Sequence, residues 1–220
     1  TKKDNVLIKM KAAGICGSDM GIYRGTNAAA TYPRVIGHEM VGVVEEVGEG
    51  VASLKPGDRV IVDQVVSCGH CYACRKGRGN VCGNLQVRGV HIDGGYREYI
   101  AVPEQDCYLL PDTLSDVEAV MIEPTTIAIQ SCSRAGLCEE DVLLILGCGV
   151  LGSTILKIAR LSGAKIVVAD IVQDKLEEAL DNGADYVINI SKEDLAERMR
   201  ELTGGYGATV SIDAACTKDS

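Results

Sequence analysis

Three glycines at fixed spacing constrain the second half of this chain more than any other feature of its sequence. Gly147, Gly149 and Gly152 form the pattern G-x-G-x-x-G, directly after the apolar run Val142–Leu146 and at the start of the helix-like segment Val150–Leu161. In a strand–turn–helix unit the first glycine permits a tight turn, the second lets a pyrophosphate approach the backbone, and the third lets helix and strand pack closely. The pattern therefore predicts a βαβ unit that binds a dinucleotide at the N-terminus of its helix.

An acidic residue at the end of the next predicted strand indicates which dinucleotide is bound. Asp170 follows the glycines by roughly 20 residues, the distance at which a carboxylate reaches the adenosine ribose. There it would accept hydrogen bonds from the ribose hydroxyls and repel a 2′-phosphate, and Ile171 and Val172 offer that phosphate no guanidinium. The sequence predicts NAD rather than NADP. The predicted cofactor contacts are the three glycines, Val150, Leu151 and Asp170.

The secondary-structure pattern changes near Glu123 and indicates two domains. Before it, the strand-like segments, separated by turns rich in Gly and Pro, are Val6–Ala12, Val41–Val47, Arg59–Val66 and Tyr96–Val102. After it, strands at Val142–Leu146, Lys165–Asp170, Tyr186–Ile190 and Ala208–Asp213 alternate with helices at Val150–Leu161, Gln173–Asp181 and Lys192–Leu202. Alternating strands and helices are typical of a parallel sheet. We therefore expect a β-rich domain over residues 1–124 and the first part of an α/β domain, with an incomplete sheet, over residues 125–220.

Four cysteines within one loop, residues 67–83, predict a structural metal site. Cys68, Cys71, Cys74 and Cys82 have the spacing C-x2-C-x2-C-x7-C, and four thiolates give Zn²⁺ a closed tetrahedral shell. A lobe this poor in apolar residues would depend on the metal for its folding energy. Disulfides and an iron–sulfur cluster are the alternatives. A ferredoxin-type cluster has other spacing and usually a proline after its last cysteine, where glycine stands here.

A second group of possible metal ligands is spread along the chain. Cys16 lies in the stretch GICGSD, His38 precedes Glu39 in IGHE, and Glu123 stands before a proline. Cysteine, histidine and a carboxylate make up the three-ligand shell of a catalytic zinc site that keeps one position open. Each residue also has an ordinary explanation, because single cysteines are often buried in cores and a glutamate often begins a helix. Spacing alone does not bring residues this far apart together.

Composition and charge disfavour several kinds of partner. The 220 residues carry a formal net charge of −9, whereas nucleic acids and anionic membranes attract basic surfaces. No apolar run approaches the roughly 18–20 residues of a membrane span. The chain has 10 cysteines, and its start leads into a strand-like segment rather than a secretory signal. Clustered cysteines in such a chain more often bind metal than form disulfides, so we expect a protein of the reducing cytoplasm.

Five motifs occur in the order found in one known family. They are GICGSD, GHE, the pair VGEGV and PGDRV, the four-cysteine loop, and EP. In these motifs the chain resembles the zinc-dependent medium-chain alcohol dehydrogenases, over essentially its whole length. The stretches YPRVIGHE, SCGHCY, GVHIDGG and MIEP are similar to the sugar-acid and polyol branch of that family. This branch includes bacterial starvation-sensing dehydrogenases and L-galactonate and L-gulonate 5-dehydrogenases.

This resemblance implies a fold and a set of metal ligands. The fold is α/β, with a GroES-like catalytic domain followed by a Rossmann doubly wound parallel sheet. The implied cofactors are one catalytic zinc ion, one structural zinc ion and NAD. The catalytic zinc would be bound by Cys16, His38 and either Glu123 or Glu39, since polyol-type relatives differ over which glutamate is the inner ligand. Ser18 matches the family's hydroxyl group that relays the substrate proton.

Two further positions bear on catalysis. Many relatives have a histidine three residues after the relay hydroxyl, but Gly21 stands there in this chain. The proton therefore needs another group, or water, to leave the site. His91 lies in the Gly-Val-His loop and is a candidate to face the substrate cleft.

The expected activity also follows from the resemblance. It is hydride transfer from a secondary alcohol of a polyol or sugar acid to NAD, which gives a ketone. The partner is then this small molecule, and a homo-oligomer is expected for the full-length family. Relatives begin before Thr1 and continue past Ser220, so we expect a chain truncated at both ends. The alternative is a zinc-stabilised binding or regulatory remnant without efficient turnover.

Overall fold

The computed structural model describes residues 2–215 of the chain. The fold divides into two compact units, Thr1–Ile122 and Glu123–Ser220. The first contains antiparallel strands, and the second contains parallel strands that alternate with helices. Within the described residues, no helix combines the length and the apolar character needed to cross a membrane.

A five-stranded antiparallel sheet forms the body of the first unit. In chain order the elements of this unit are β1 (Asn5–Ala13), α1 (Gly17–Tyr23), β2 (Met40–Val47), β3 (Arg59–Val62), β4 (Val65–Val66), α2 (Tyr72–Arg75), β5 (Gln86–Val87), β6 (Tyr99–Pro103), β7 (Cys107–Leu109) and α3 (Asp116–Val120). The strands of the large sheet lie in the order β6-β1-β2-β3-β7. The short strands β4 and β5 pair separately and carry the four-cysteine loop between them.

The larger apolar cluster of the first unit lies on one face of this sheet. Side chains of a strand point alternately to its two faces, and in β1 Val6 and Ile8 are fully buried. They pack in one cluster with Met40 of β2 and Val60 of β3. Full burial of such a side chain contributes roughly 1.5–3 kcal/mol. A Cβ at Gly42 would collide with Ile8, so the close pairing of β1 and β2 requires glycine there.

One predicted strand is interrupted by an aspartate. The sequence predicts a single strand over Arg59–Val66, but β3 ends at Val62 and a new strand begins at Val65. At the break, the backbone N–H of Asp63 donates to the carbonyl oxygen of Asp106 at 2.8 Å, and the Asp63 carboxylate accepts the N–H of Val65 at 2.8 Å. An aspartate side chain that accepts its own backbone two residues on makes a turn.

A four-stranded parallel sheet forms the second unit. The elements from the end of α3 onward are α4 (Ile122–Ala135), β8 (Val142–Leu146), α5 (Val150–Ala159), β9 (Lys165–Asp170), α6 (Gln173–Asp181), β10 (Tyr186–Asn189), α7 (Leu195–Leu202) and β11 (Val210–Asp213). The strand order is β10-β9-β8-β11 and every pairing is parallel. The predicted fold class, a β-rich domain followed by an incomplete doubly wound sheet, is confirmed.

Both faces of the parallel sheet are covered, which explains the unbroken apolar run of β8. Leu143 and Ile145 pack on one face with Leu156 of α5. Leu144, between them, packs on the opposite face with Met199 of α7. A strand of this kind has no polar face, so its sequence reads as continuously apolar.

The last helix begins later than its sequence pattern predicts. The prediction is Lys192–Leu202, whereas α7 begins at Leu195. The carboxylate of Asp194 accepts the backbone N–H of Glu197 at 2.8 Å and caps the first turn. An aspartate in this position satisfies one of the free N–H groups at a helix start, so it sets the helix boundary.

Candidate metal centres and dinucleotide site

The four predicted thiol ligands converge in the loop between β4 and β5. The Sγ atom of Cys71 lies 3.4 Å from that of Cys74 and 3.8 Å from that of Cys82. The Sγ atoms of Cys68 and Cys74 lie 4.0 Å apart. A tetrahedral ion with Zn–S bonds of about 2.3 Å requires sulfur–sulfur distances of about 3.8 Å. The arrangement therefore fits a zinc ion before any ion is placed.

The loop backbone donates hydrogen bonds to these sulfurs. The N–H groups of Cys68 and Asn84 donate to the Cys82 sulfur at 3.4 and 3.3 Å. Hydrogen bonds from the N–H groups of His70 and Cys71 lower the pKa of Cys68 to about 6. Such bonds favour the thiolate, which is the form that binds metal. The nine cysteines within the described residues are free thiols, so the disulfide alternative finds no support there.

The second ligand group is assembled by strand pairing. The end of β1 pairs with the start of β2, with Ala13 opposite Met40, and the N–H of Gly14 donates to the carbonyl oxygen of Glu39 at 2.9 Å. This pairing sets Cys16, at the start of α1, beside the two residues that precede β2. The ligand atoms of Cys16, His38 and Glu39 all lie within 4.8 Å of one another.

A buried aspartate that the sequence analysis missed holds this group in place. Asp19 is 1% exposed. Its carboxylate accepts the N–H groups of Cys16 at 2.9 Å and Gly37 at 3.2 Å, and its Oδ1 lies 3.4 Å from Nδ1 of His38. A carboxylate beside a histidine fixes the ring orientation in many metal sites. The signal was present in the sequence, because Cys16 and Asp19 have the three-residue spacing of a helix capping box.

The electrostatics of the group favour a bound cation. The hydrogen bond with His38 lowers the pKa of the Cys16 thiol, and burial opposes this only in part. Burial raises the pKa of Glu39. A thiol and the carboxyl groups of Asp19 and Glu39 thus surround one imidazole in a largely buried place. Buried anionic groups need a compensating charge, which a divalent metal ion would provide. The donor set and its burial therefore fit zinc.

Ser18 lies next to the metal group, in the first turn of α1. It is exposed, and its hydroxyl and backbone N–H bond to the Cys16 sulfur and lower the pKa of that thiol. Gly21, one turn further along α1, accepts a hydrogen bond from Thr26 Oγ1 through its carbonyl oxygen at 3.1 Å. Because Ser18 is exposed, its hydroxyl can contact a substrate.

Two other predicted residues, Glu123 and His91, are not among the three grouped ligands. Glu123 is in the first turn of α4 and belongs to the second unit, so its role as a ligand stays a prediction. His91 lies in a loop packed on the metal group, since a Cβ at Gly89 would come within 2.8 Å of the Gly37 carbonyl oxygen. His91 and His70 line one surface groove of about 570 Å³, together with Cys68 of the four-cysteine loop.

The three glycines of the second unit each show the predicted reason for glycine. Gly147 has a φ of +85°, and a Cβ there would lie 2.9 Å from Ala215. A Cβ at Gly152 would collide with the carbonyl oxygen of Gly147. A Cβ at Gly149, the N-cap of α5, would meet no protein atom within 4 Å. Open space at a helix N-terminus is where a pyrophosphate binds.

The carboxylate of Asp170 links the glycine turn to the turn that follows β9. Its carboxylate accepts the N–H of Cys148 at 2.6 Å and the N–H of Val172 at 2.9 Å. Burial raises its pKa, but hydrogen bonds from the N–H groups of Cys148, Val172 and Ile171 outweigh burial and leave the pKa below its usual value. The group is therefore ionised at neutral pH and can accept hydrogen bonds from a ribose.

Models of known protein families match segments of both units of this chain. A family model described as "Alcohol dehydrogenase GroES-like domain" matches residues 2–112, which is half of the chain. This chain belongs to the alcohol dehydrogenase family. A second model, "Zinc-binding dehydrogenase", matches residues 150–220. The predicted family is confirmed, and the zinc-binding description of the second model agrees with the two groups of candidate metal ligands.

Individual relatives cover most of this chain but are longer than it. The starvation-sensing protein RspB of Escherichia coli is 48% identical over 213 residues, which are 96% of this chain and 62% of that protein. Sorbitol dehydrogenase of Bacillus subtilis and L-galactonate-5-dehydrogenase of E. coli are each 37% identical, over 96% of this chain and 62% of theirs. The chain therefore spans less than two thirds of the length of these relatives.

Solved structures of relatives also match nearly all of this chain and less than two thirds of their own length. RspB of E. coli CFT073, in complex with NADH, has a TM-score of 0.90 at 47% identity and covers 97% of this chain and 63% of its own. A zinc-binding dehydrogenase of Sinorhizobium meliloti, bound to NADP, has a TM-score of 0.91 at 33% identity, over 100% of this chain and 65% of its own. Relatives of this fold thus hold either dinucleotide.

Proposed function

We propose that this protein is a zinc- and NAD-dependent dehydrogenase that oxidises a secondary alcohol of a polyol or sugar acid to a ketone. The observation that carries the proposal is the grouping of Cys16, His38 and Glu39, which form a mixed metal site in a chain that also has an open glycine turn for a dinucleotide. The four-cysteine site alone would serve a structural role. The mixed set is of the kind that keeps a coordination position for substrate.

The chemistry divides between the cofactors and the chain. When bound, zinc supplies a Lewis acid for the substrate hydroxyl, and NAD supplies the hydride acceptor. The overall reaction is secondary alcohol plus NAD⁺ to ketone, NADH and a proton. Cys16 and His38 would hold the metal with a glutamate, for which Glu39 is the supported choice and Glu123 the alternative. Asp19 would keep His38 in its metal-binding orientation.

The proton of the substrate hydroxyl needs an acceptor. Ser18 is our candidate, because it is exposed and lies against Cys16. Gly21 offers no side chain to pass the proton on, so we expect Ser18 to release it to water. Loss of a positioned proton-transfer group typically costs about 10²–10⁴-fold in rate. We therefore expect Ser18→Ala to lower kcat by about that factor and to leave zinc content unchanged.

A polyhydroxylated substrate is supported by the relatives, and His91 is the candidate to contact it. The groove that His91 lines also includes Cys68 of the four-cysteine site and has both polar and apolar side chains. Nδ1 of His91 accepts the backbone N–H of Val87 at 3.0 Å, so the neutral ring carries its proton on Nε2 and can donate it to a substrate oxygen. The names of the relatives, a sorbitol and an L-galactonate dehydrogenase, point to the same class. The preference for NAD is supported by the ionised Asp170.

The test is an assay of NAD reduction against a panel of polyols, sugar acids and simple primary alcohols. We expect turnover with a secondary alcohol of the first two classes, and an increase in KM for these substrates alone in His91→Phe. Reduction of NADP in preference to NAD would reject the assignment of the cofactor. A chain that holds one zinc ion, binds no dinucleotide and turns over nothing would instead be the zinc-stabilised binding module.

A further inference from the structure

A tyrosine that the proposed mechanism does not use connects both segments of the mixed metal site. Tyr96 follows the Gly94-Gly95 turn, whose N–H groups donate to the carbonyl oxygens of Val35 at 2.7 Å and Gly37 at 2.9 Å. The N–H of Tyr96 itself donates to Ile36 at 3.0 Å. The segment that carries Tyr96 is therefore fixed alongside the residues that lead into His38.

The ring of Tyr96 occupies the space beside Gly37. A Cβ at Gly37 would collide with the ring, and Gly37 has a φ of +94°, which disfavours any other residue. The turn before His38 therefore has its shape because this ring lies against it. About a third of Tyr96 remains exposed.

The hydroxyl of Tyr96 reaches the other segment. It lies 2.7 Å from the carbonyl oxygen of Gly14 and 3.0 Å from Oδ2 of Asp19. Both neighbours accept hydrogen bonds, so the single hydroxyl proton is shared between the two oxygens. Asp19 Oδ2 also accepts the N–H of Cys16, and its Oδ1 faces His38. The chain of contacts runs from Tyr96 through one buried carboxylate to both metal ligands.

We propose that Tyr96 is a positioning residue for the mixed metal site, acting through Asp19. Its hydroxyl donates the side-chain hydrogen bond that holds Oδ2 of Asp19, and the Asp19 carboxylate in turn holds the backbone of Cys16 and the ring of His38. Without the hydroxyl, the buried carboxylate keeps only the backbone N–H groups of Cys16 and Gly37 as donors, and the separation of the ligands is less tightly fixed. The inference rests on the proposed function only in that this site binds a metal.

The test is the affinity of the site for Co²⁺ in Tyr96→Phe, with zinc kept in the four-cysteine site. Outer partners of metal ligands change affinity by about 10–100-fold when removed, and Tyr96 is one step further away. We expect a loss of about tenfold, a changed cobalt absorption spectrum, and an unchanged four-cysteine site. Tyr99→Phe, the same chemical change in β6, is the matched control and should leave cobalt affinity unaltered.

A double-mutant cycle separates action through Asp19 from a general packing effect. If Tyr96 acts through Asp19, the losses in Tyr96→Phe and Asp19→Asn combine less than additively. Additive losses, unchanged cobalt affinity in Tyr96→Phe, equal losses at both metal sites, or a Tyr96→Phe chain that does not fold would each overturn the proposal. If the unsubstituted chain takes up no metal beyond the four-cysteine site, the proposed function fails together with it.

Discussion

The role of a buried aspartate in this protein depends on the groups that surround its carboxylate. Asp19 and Asp170 are both buried aspartates. Each accepts backbone N–H groups from two separate segments of chain, Asp19 at the metal group and Asp170 beside the glycine turn. A buried carboxylate is costly unless hydrogen bonds or a cation compensate its charge. Each therefore stabilises its site only while those N–H groups stay in place.

The glycines of the dinucleotide turn give a prediction with an internal control. Gly149→Ala adds a methyl group to open space at a φ of −73°, so folding should change by less than about 0.5 kcal/mol while NAD affinity falls. Gly152→Ala forces a Cβ onto the Gly147 carbonyl oxygen and should destabilise the second unit by about 1–3 kcal/mol. Urea unfolding and NAD titration separate the two effects. Equal stability losses would show that the open space is not a ligand site.

The residue after Asp170 allows a test of cofactor preference. Ile171 is 65% exposed, so Ile171→Arg should fold normally and supply the guanidinium that a 2′-phosphate needs. A hydrogen bond to a charged group contributes about 1.5–3 kcal/mol, so we expect the ratio of NADP to NAD affinity to rise by at least about tenfold. Leu161→Arg, at a site that is more exposed still, is the control. An unchanged ratio would place the adenosine ribose away from this turn.

Three short elements, helix α2 and the strands β4 and β5 on either side of it, differ from the other elements in what stabilises them. Helix α2 (Tyr72–Arg75) has four residues, none of them buried, and isolated helices this short are unstable in water. Strands β4 and β5 have two residues each. No apolar cluster of the described residues includes any of these three elements. We therefore expect their order to depend on the metal ion that the four cysteines are predicted to bind.

This dependence predicts a local effect of losing one thiol. Cys82→Ser should remove the zinc ion of the lobe and expose the amides of residues 68–84 to hydrogen exchange. The strands β1, β2 and β3 should stay protected, because their core does not contact the lobe's metal. Cys138→Ser removes an exposed cysteine and should change neither quantity. Zinc analysis and hydrogen exchange by mass spectrometry provide the measurements, and protection retained in the Cys82→Ser lobe would contradict a folding role for the metal.

At the scale of the whole molecule, two different groups of candidate metal ligands lie in the first unit. The four-cysteine group has a complete set of thiolate ligands, whereas the mixed group has three candidate ligands and includes the exposed neighbour Ser18. A closed shell gives a competing chelator no coordination position, and an open shell gives it one. A chelator should therefore remove the ion of the mixed group before the ion of the four-cysteine group.

We expect two zinc ions per chain, one for each group. Dialysis against a chelator at moderate concentration should remove one ion, with loss of alcohol oxidation but little change in far-UV circular dichroism. The second ion should leave only after the thiols are modified or the lobe unfolds. Metal analysis against dialysis time gives the answer. Simultaneous loss of both ions would mean that the mixed group does not form a separate, open site.

What the sequence determined by itself were the features whose physics is local. The four cysteines lie in one short loop, so their spacing alone predicts a shared ion, and in the structure their sulfurs lie at tetrahedral distances. The glycine pattern likewise predicted its turn from sequence alone, since a tight turn and a close packing contact each depend on neighbouring residues. Alternation of apolar strands and helices predicted the parallel sheet for the same reason.

The mixed metal group was decided only by the tertiary structure. Its members become neighbours because β1 pairs with β2 in a register that puts Ala13 opposite Met40, and no spacing rule contains that register. The spacing of Cys16 and Asp19 indicates a local capping contact, but the contacts of Asp19 with Gly37 and Tyr96 join distant segments that only the fold brings together. Long-range hydrogen bonding through buried carboxylates is thus what folding adds to the chemistry that the sequence already specifies.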